Sequence, residues 1–251
     1  MGVLIGRGGG VQTPVFTALG TVNDGGVGAI DVTNMTITNN VAVGDMLFIA
    51  HAWTGIAGDT CIFSDSGGNV YPSVSDMDKG STASSVAISY TMIPVTVALT
   101  SGASQLTSTL NASRSGRILG AFKMTRTGII PPASPWDGSS SATGTSVTMA
   151  PGNITSTQIP DLAVGVFNNS LGGVGSTPGG YTSQISATTF AGTTGRLQVF
   201  TRLTSSILIL NATSTITSAT WVAGQTAYRC DDSYPRSARF IGNSVSNSAV
   251  R

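Results

Sequence analysis

The chain has 251 residues and a formal net charge of +1; only 9% of its residues are charged, although 40% are hydrophobic. An ordinary soluble domain carries about 25% charged residues, and a near-zero net charge leaves no basic footprint for nucleic acid or an anionic membrane. All eleven acidic residues are Asp, the only lysines are Lys79 and Lys123, and Ser and Thr take over the solvation that charges usually provide. Glu and Lys favour helices, whereas Thr, Val and Ile suit a half-buried pleat, so the composition favours strands. The apolar content and its strand-like periodicity argue against disorder.

Residues 1–24 open with Gly6, Gly8, Gly9 and Gly10. Glycine at that density costs too much backbone entropy to nucleate a core element, and a partner-ordered arm is expected there. The first strand signal is Ile30–Ile37, and Asn39-Asn40 turns it into Val43–Trp53, where Gly44-Asp45 launches a near-continuous apolar run. Such a run reads as a strand buried on both faces. Cys61–Phe63 is a short strand, Asp65-Ser66-Gly67-Gly68-Asn69 a turn, and Val70-Tyr71 resumes the sheet. Alternation then puts Val86, Ile88, Tyr90 and Met92 on one face of a strand. Leu106–Leu110 alternates more weakly, and Arg117–Met124 closes the first half. Residues 128–144, rich in Pro, Gly and Ser, read as a crossover.

The second half retraces the first. Ser146–Met149 answers Asn34–Ile37, and the strand from Pro160-Asp161-Leu162 answers that from Gly44-Asp45-Met46. Gly180–Ser183 answers Val70–Ser73, Leu197–Thr201 answers Ala87–Thr91, and Trp221–Tyr228 answers Arg117–Met124. The expected fold is an all-β, antiparallel, jelly-roll-like β-sandwich over 25–230, built from two pseudo-repeated halves (25–127 and 145–230). Flexible arms at 1–24 and 231–251 flank it. The tail carries Tyr234, Arg236 and Arg239, with Phe240 and Ile241 as its hydrophobic handle.

Catalytic patterns are thin. Asp65-Ser66-Gly67-Gly68 copies part of the phrase around a chymotrypsin-like nucleophile, but the sole histidine, His51, lies fifteen residues upstream in a strand expected to be buried. That chemistry needs a whole barrel of chain between base and nucleophile. One histidine supplies neither a set of metal ligands nor, from a core position, a general base. The aspartates are scattered where glycosidases need paired carboxylates, and Asp45 and Asp161 are expected to bond backbone N–H groups in their turns. Asp59, Asp65 and Asn69 crowd one loop with oxygens that suit calcium, and an Asx-turn explains them equally well. The glycine clusters do not link a strand to a helix, so no phosphate cradle is expected. Five Asn-X-Ser/Thr sequons, among them Asn168, follow from composition. No basic-then-apolar leader opens the chain and no apolar run reaches the about 20 residues of a membrane span. Cys61 and Cys230 are accordingly expected to be buried free thiols. Of the tryptophans, Trp53 and Trp221 fall in strands and belong to the core, leaving Trp136 as the candidate for surface contact.

Three phrases occur together: Gly44-Asp45-Met46-Leu47, the turn Asp65 to Tyr71, and the stretch Pro94 to Gly102. With Pro160-Asp161-Leu162 and the Gly-Gly-Tyr at 179–181, the combination resembles β-sandwich virion proteins of tailed bacteriophages, found as head decoration (cement) or tail accessory proteins. The resemblance covers roughly residues 28–228. It implies a structural, non-enzymatic protein of the virion, without cofactors, that binds a major capsid protein or tail components and is homo-oligomeric. Trp136, Tyr234, Arg236, Arg239, Phe240 and Ile241 are the expected partner-binding residues. A carbohydrate-binding adhesin or fibre module, stacking sugars on Trp136, Tyr181 or Tyr234, is the alternative.

Overall fold

A computed structural model describes residues 13–23, 30–81, 86–125, 135–157, 161–189, 195–204 and 206–230. The first half supplies β1 (Val15–Asn23), β2 (Ile30–Thr36), β3 (Met46–Trp53), β4 (Cys61–Asp65), β5 (Met77–Gly80), β6 (Ala87–Pro94), β7 (Gln105–Arg114) and β8 (Ile118–Thr125). The second supplies β9 (Trp136–Met149), β10 (Ile154–Thr155), β11 (Asp161–Asn169), β12 (Thr182–Thr189), β13 (Arg196–Leu203), β14 (Ile209–Leu210) and β15 (Ser214–Arg229). Every strand pairing is antiparallel, as expected of the all-β sandwich. Among the described residues no helix is long and apolar enough to cross a membrane.

The strands form two five-stranded sheets, ordered β1-β8-β3-β6-β5 and β9-β15-β11-β13-β12, with a three-stranded sheet β2-β7-β4 and the pair β10-β14. Three cores result. Phe48, Ile88, Tyr90, Phe122 and Met124 of the first large sheet meet Leu162, Val164, Val199, Val222 and Tyr228 of the second. The reverse face of the first sheet (Leu47, Ile49, Trp53, Leu119) packs on Met35, Cys61, Phe63, Leu106 and Leu110 of the three-stranded sheet. Phe167, Phe200 and Ala223 on the reverse face of the second pack against Met149, Ile154 and Leu210. Both large sheets are thus covered on two sides, which is why β3 and β11 are buried at every residue and read as continuous apolar runs. Val86, Ile88, Tyr90 and Met92 do share one face, turned toward the other half.

In the ladders Phe48 pairs with Phe122 and Val164 with Thr226; Ile88 lies opposite Ala52 and Leu197 opposite Asn168. Leu197 and Ile88 both face the core between the large sheets, whereas Ala87 faces the outer one. The sequence set Leu197 against Ala87, and a slip of one residue exchanges the two faces of a strand. Gln198 accordingly faces the outer core, where it accepts from Gly175 N at 2.7 Å and donates to Gly175 O at 3.1 Å.

Three boundaries differ from expectation. Residues 15–23, assigned to the arm, form β1, whose Leu19 is fully buried. Residues 136–144, assigned to the crossover, belong to β9, which pairs with β15 along nearly its whole length. Its Ser, Thr and Gly residues suit a half-exposed edge strand, a pattern that composition does not separate from a loop. The sheet resumes at β5 rather than at Val70-Tyr71, which lie outside any strand. Residues 1–12 and 231–251, including Tyr234, Arg236, Arg239, Phe240 and Ile241, lie outside the described residues.

Candidate functional site

The Gly-Asp phrase that launches β3 is a turn built on Gly44, whose φ of 92° favours glycine. Asp45 closes it by accepting from Ala42 N at 3.0 Å, and also receives Lys123 Nζ at 3.0 Å and Thr125 Oγ1 at 2.6 Å. Asp161, the second strand-opening Asp, bonds Thr204 through its backbone. Its side chain meets that of Asp137, which also accepts from Thr157 N, Thr157 Oγ1 and Arg229 Nε. Burial pushes the Asp137 carboxyl upward, but those donors outweigh it and hold the group below the usual carboxylate range. The two carboxyls fasten the start of β9 to β11 and β15.

Asp59 and Asp65, which the sequence left between calcium and turn roles, are saturated by protein donors. Arg114 grips Asp59 with two bonds, at 2.6 and 2.8 Å, while Trp53 Nε1 and Ile56 N donate to Oδ2. Burial raises the Asp59 carboxyl, and the bonds from Arg114, Ile56 and Trp53 bring it net below its ordinary value. Asp65 Oδ1 takes the N–H groups of Gly67, Gly68 and Asn69, and Oδ2 takes Asn69 Nδ2 and the Tyr71 hydroxyl. This is an Asx-turn. Asn69 passes the anchorage on by accepting from Thr96 N and Val97 N. Among the described residues no group of three or more His, Cys or Asp side chains is placed to hold a metal ion.

His51 is fully buried in β3, 5.2 Å from the Trp53 ring and with Nδ1 3.8 Å from Cys61 Sγ. Burial first, and the Arg117 charge second, lower its pKa to about 3. Burial and the charge of Asp78 drive the Cys61 thiol well up. A neutral imidazole beside a neutral thiol is poorly suited to acid–base or nucleophilic work at ordinary pH. Ser66 of the protease-like phrase accepts from Gln105 N instead. No disulfide joins Cys61 and Cys230, which are buried in different cores.

The tryptophans divide as expected. Trp53 and Trp221 are buried, with their Nε1 groups donating to Asp59 and to Ser146. Trp136 is 46% exposed. Tyr181, named above as a stacking platform, is buried and donates to Gln225 Oε1 at 3.4 Å, so it does not serve. Trp136 stands at the mouth of a groove of about 370 Å³ on the seam between the halves. Val70, Tyr71, Pro72 and Asp76 line it from the β4–β5 connection, Met92 to Pro94 and Thr96 from the end of β6, and Pro135 and Trp136 from the start of β9. The Arg229 N–H donates to Pro135 O at 2.6 Å and ties that wall to β15. Asp76 is fixed by Met92 N and Thr91 Oγ1, both donating to Oδ2 at 3.0 Å. Neither the first part of β9 nor the seam was legible in the sequence, because the groove joins segments about sixty residues apart.

Residues that sequence reasoning missed include Asn168. Fully buried, it donates to Ala87 O at 3.0 Å across the two large sheets and accepts from Arg196 N. Its sequon setting gave no hint of this. A scan against models of known protein families returns no match, and no curated protein matches the chain.

Proposed function

We propose that the chain is a structural, non-enzymatic component of a tailed-phage virion, a decoration or cement protein that stabilises the particle by fastening to its surface. The observation that carries this reading is the strand order. In the first half, strands one, eight, three and six adjoin in one sheet and strands two, seven and four in the other. We read that as the order of a two-sheet jelly roll, an architecture used by viral capsid domains. The second large sheet has the same order position for position, and we read the chain as two such halves, duplicated and set back to back. The ionisable side chains add support: Asp45, Asp59 and Asp137 are each committed to a cation and to a turn or strand end. What remains for function is surface, of Ser/Thr-rich edges such as β9 and of lone apolar side chains. Such a surface lets identical copies adjoin without charge repulsion and bind capsid or tail components through burial and strand pairing.

The test is the content of purified particles. Mass spectrometry and imaging should find the chain at hundreds of copies on the surface; its absence from particles would overturn the reading. The described strands all end by Arg229, so deleting 231–251 should leave melting near normal while weakening attachment. That outcome would assign Tyr234, Arg236, Arg239, Phe240 and Ile241 to the partner contact.

A further inference from the structure

We infer that the groove at the seam is a binding site for a neutral oligosaccharide, with the Trp136 indole as its stacking platform and Asp76 as an acceptor for sugar hydroxyls. The inference stands on the groove alone and does not require the particle reading.

Trp136 is the observation to explain. A tryptophan usually hides its large apolar body and finds a partner for its N–H. Trp53 and Trp221 do both, and Trp136 leaves 46% of its surface open. Around it the walls are apolar and stiff: Pro72, Pro94, Pro135 and Val70, the last 82% exposed. Proline has a fixed φ and little entropy to lose, and a pre-formed wall reduces the ordering cost of binding. A volume of about 370 Å³ falls within the usual range of ligand sites, and seams between folded halves are where such sites concentrate.

The chemistry selects the ligand class. A pyranose presents a patch of C–H groups that lies flat on an aromatic face, and a rim of hydroxyls that need hydrogen-bond partners. The indole supplies the first, the Asp76 carboxylate and the Thr96 side chain the second. A carboxylate accepts about four hydrogen bonds, and Met92 N and Thr91 Oγ1 both bind Oδ2. Those two bonds fix the acceptor in place before any ligand arrives. Among the described residues Asp76 is the one carboxylate lining the groove, and no cation lines it with Asp76. A uronic or sialic acid would meet like charge there, so the site favours neutral sugars.

The full-length protein should be titrated with a panel of neutral tetrasaccharides (gluco-, galacto- and manno-configured, and N-acetylglucosamine), beside tetragalacturonate and a proline-rich peptide. With Trp53 and Trp221 buried, the change in tryptophan emission and the protection from acrylamide quenching report on Trp136. The expected result is a saturable response to at least one neutral sugar, with Kd raised at least about tenfold in Trp136→Ala and partly restored in Trp136→Phe. Melting should be unchanged, since the indole is surface-exposed. Asp76→Asn should weaken neutral-sugar binding and reduce the rejection of tetragalacturonate. Should Trp136→Ala melt lower, protection of the parent from acrylamide still decides the point. No response to any neutral sugar into the millimolar range, binding unchanged in Trp136→Ala, or preference for the acidic sugar or the peptide would each overturn the proposal.

Discussion

His51 is enclosed on every side, and its Nε2 meets no hydrogen-bond partner among the described residues. The nearby ionisable groups are the Arg117 charge, the Cys61 thiol and Asp78, whose Oδ1 accepts from Cys61 N. With a folded pKa of about 3 against an ordinary 6.5, the unfolded chain takes up a proton that the native chain refuses. Stability from this group is complete above about pH 6.5 and declines as pH falls toward 3, by up to about 1.4 kcal/mol per pH unit. Asp76 and Asp78, whose carboxyls are raised by burial, act in the opposite sense, because the native state binds their protons first. The wild-type chain should therefore lose stability faster than His51→Gln between pH 6.5 and the carboxylate range. Melting temperature against pH in the two proteins measures this, and parallel curves would show that His51 is not buried neutral. Imidazole NMR shifts of the wild type provide the same information if the variant folds poorly.

Packing at the element scale is close where β5 runs beneath the β3–β4 connection. A Cβ on Gly80 would stand 2.0 Å from Ile56 O and 2.9 Å from Ala57 N, both backbone atoms. Gly80→Ala should therefore displace that connection, which also carries Asp59, and cost at least about 2 kcal/mol. Denaturant unfolding reads the loss. Substitution at Gly138, where no atom lies within 4 Å of the added Cβ, should be near neutral. The elements that sequence reading found and missed divide on the same physical ground. Buried β3, β6, β8, β11 and β13 announce themselves by apolar runs or alternation. Edge strands β1, β5 and β9 are held by pairing with a neighbour, and pairing leaves little mark on composition.

For the whole molecule, the decisive feature is that the two halves share a core. Phe48, Ile88, Tyr90 and Phe122 from one meet Leu162, Val164, Val199 and Tyr228 from the other, and Tyr90 is bonded to Thr226 Oγ1 across the seam at 3.0 Å. Each large apolar side chain buried there stabilises the joined state by about 1.5–3 kcal/mol. The intact chain should consequently melt in one calorimetric transition with equal calorimetric and van't Hoff enthalpies. Residues 1–127 expressed alone should expose that face, bind a hydrophobic dye and aggregate. Two separable transitions, or a soluble and natively folded half, would show that the seam is a mere contact.

The sequence by itself determined the all-β class, the central strands and the face of β6, the turns at Gly44-Asp45 and Asp65, and the burial of His51, Trp53 and Trp221. Each is encoded locally, in periodicity, in a side chain that bonds its own turn, or in an apolar run. The tertiary structure alone decided that two large sheets stack face to face, that Leu197 rather than Gln198 faces the seam, and that β9 starts as far back as Trp136. It alone brought Tyr71, Asp76, Pro94 and Trp136 to one groove. Those outcomes rest on which ladder pairs with which, a choice made by burial between segments far apart in the chain, and a one-residue change of register would have reversed every face it set.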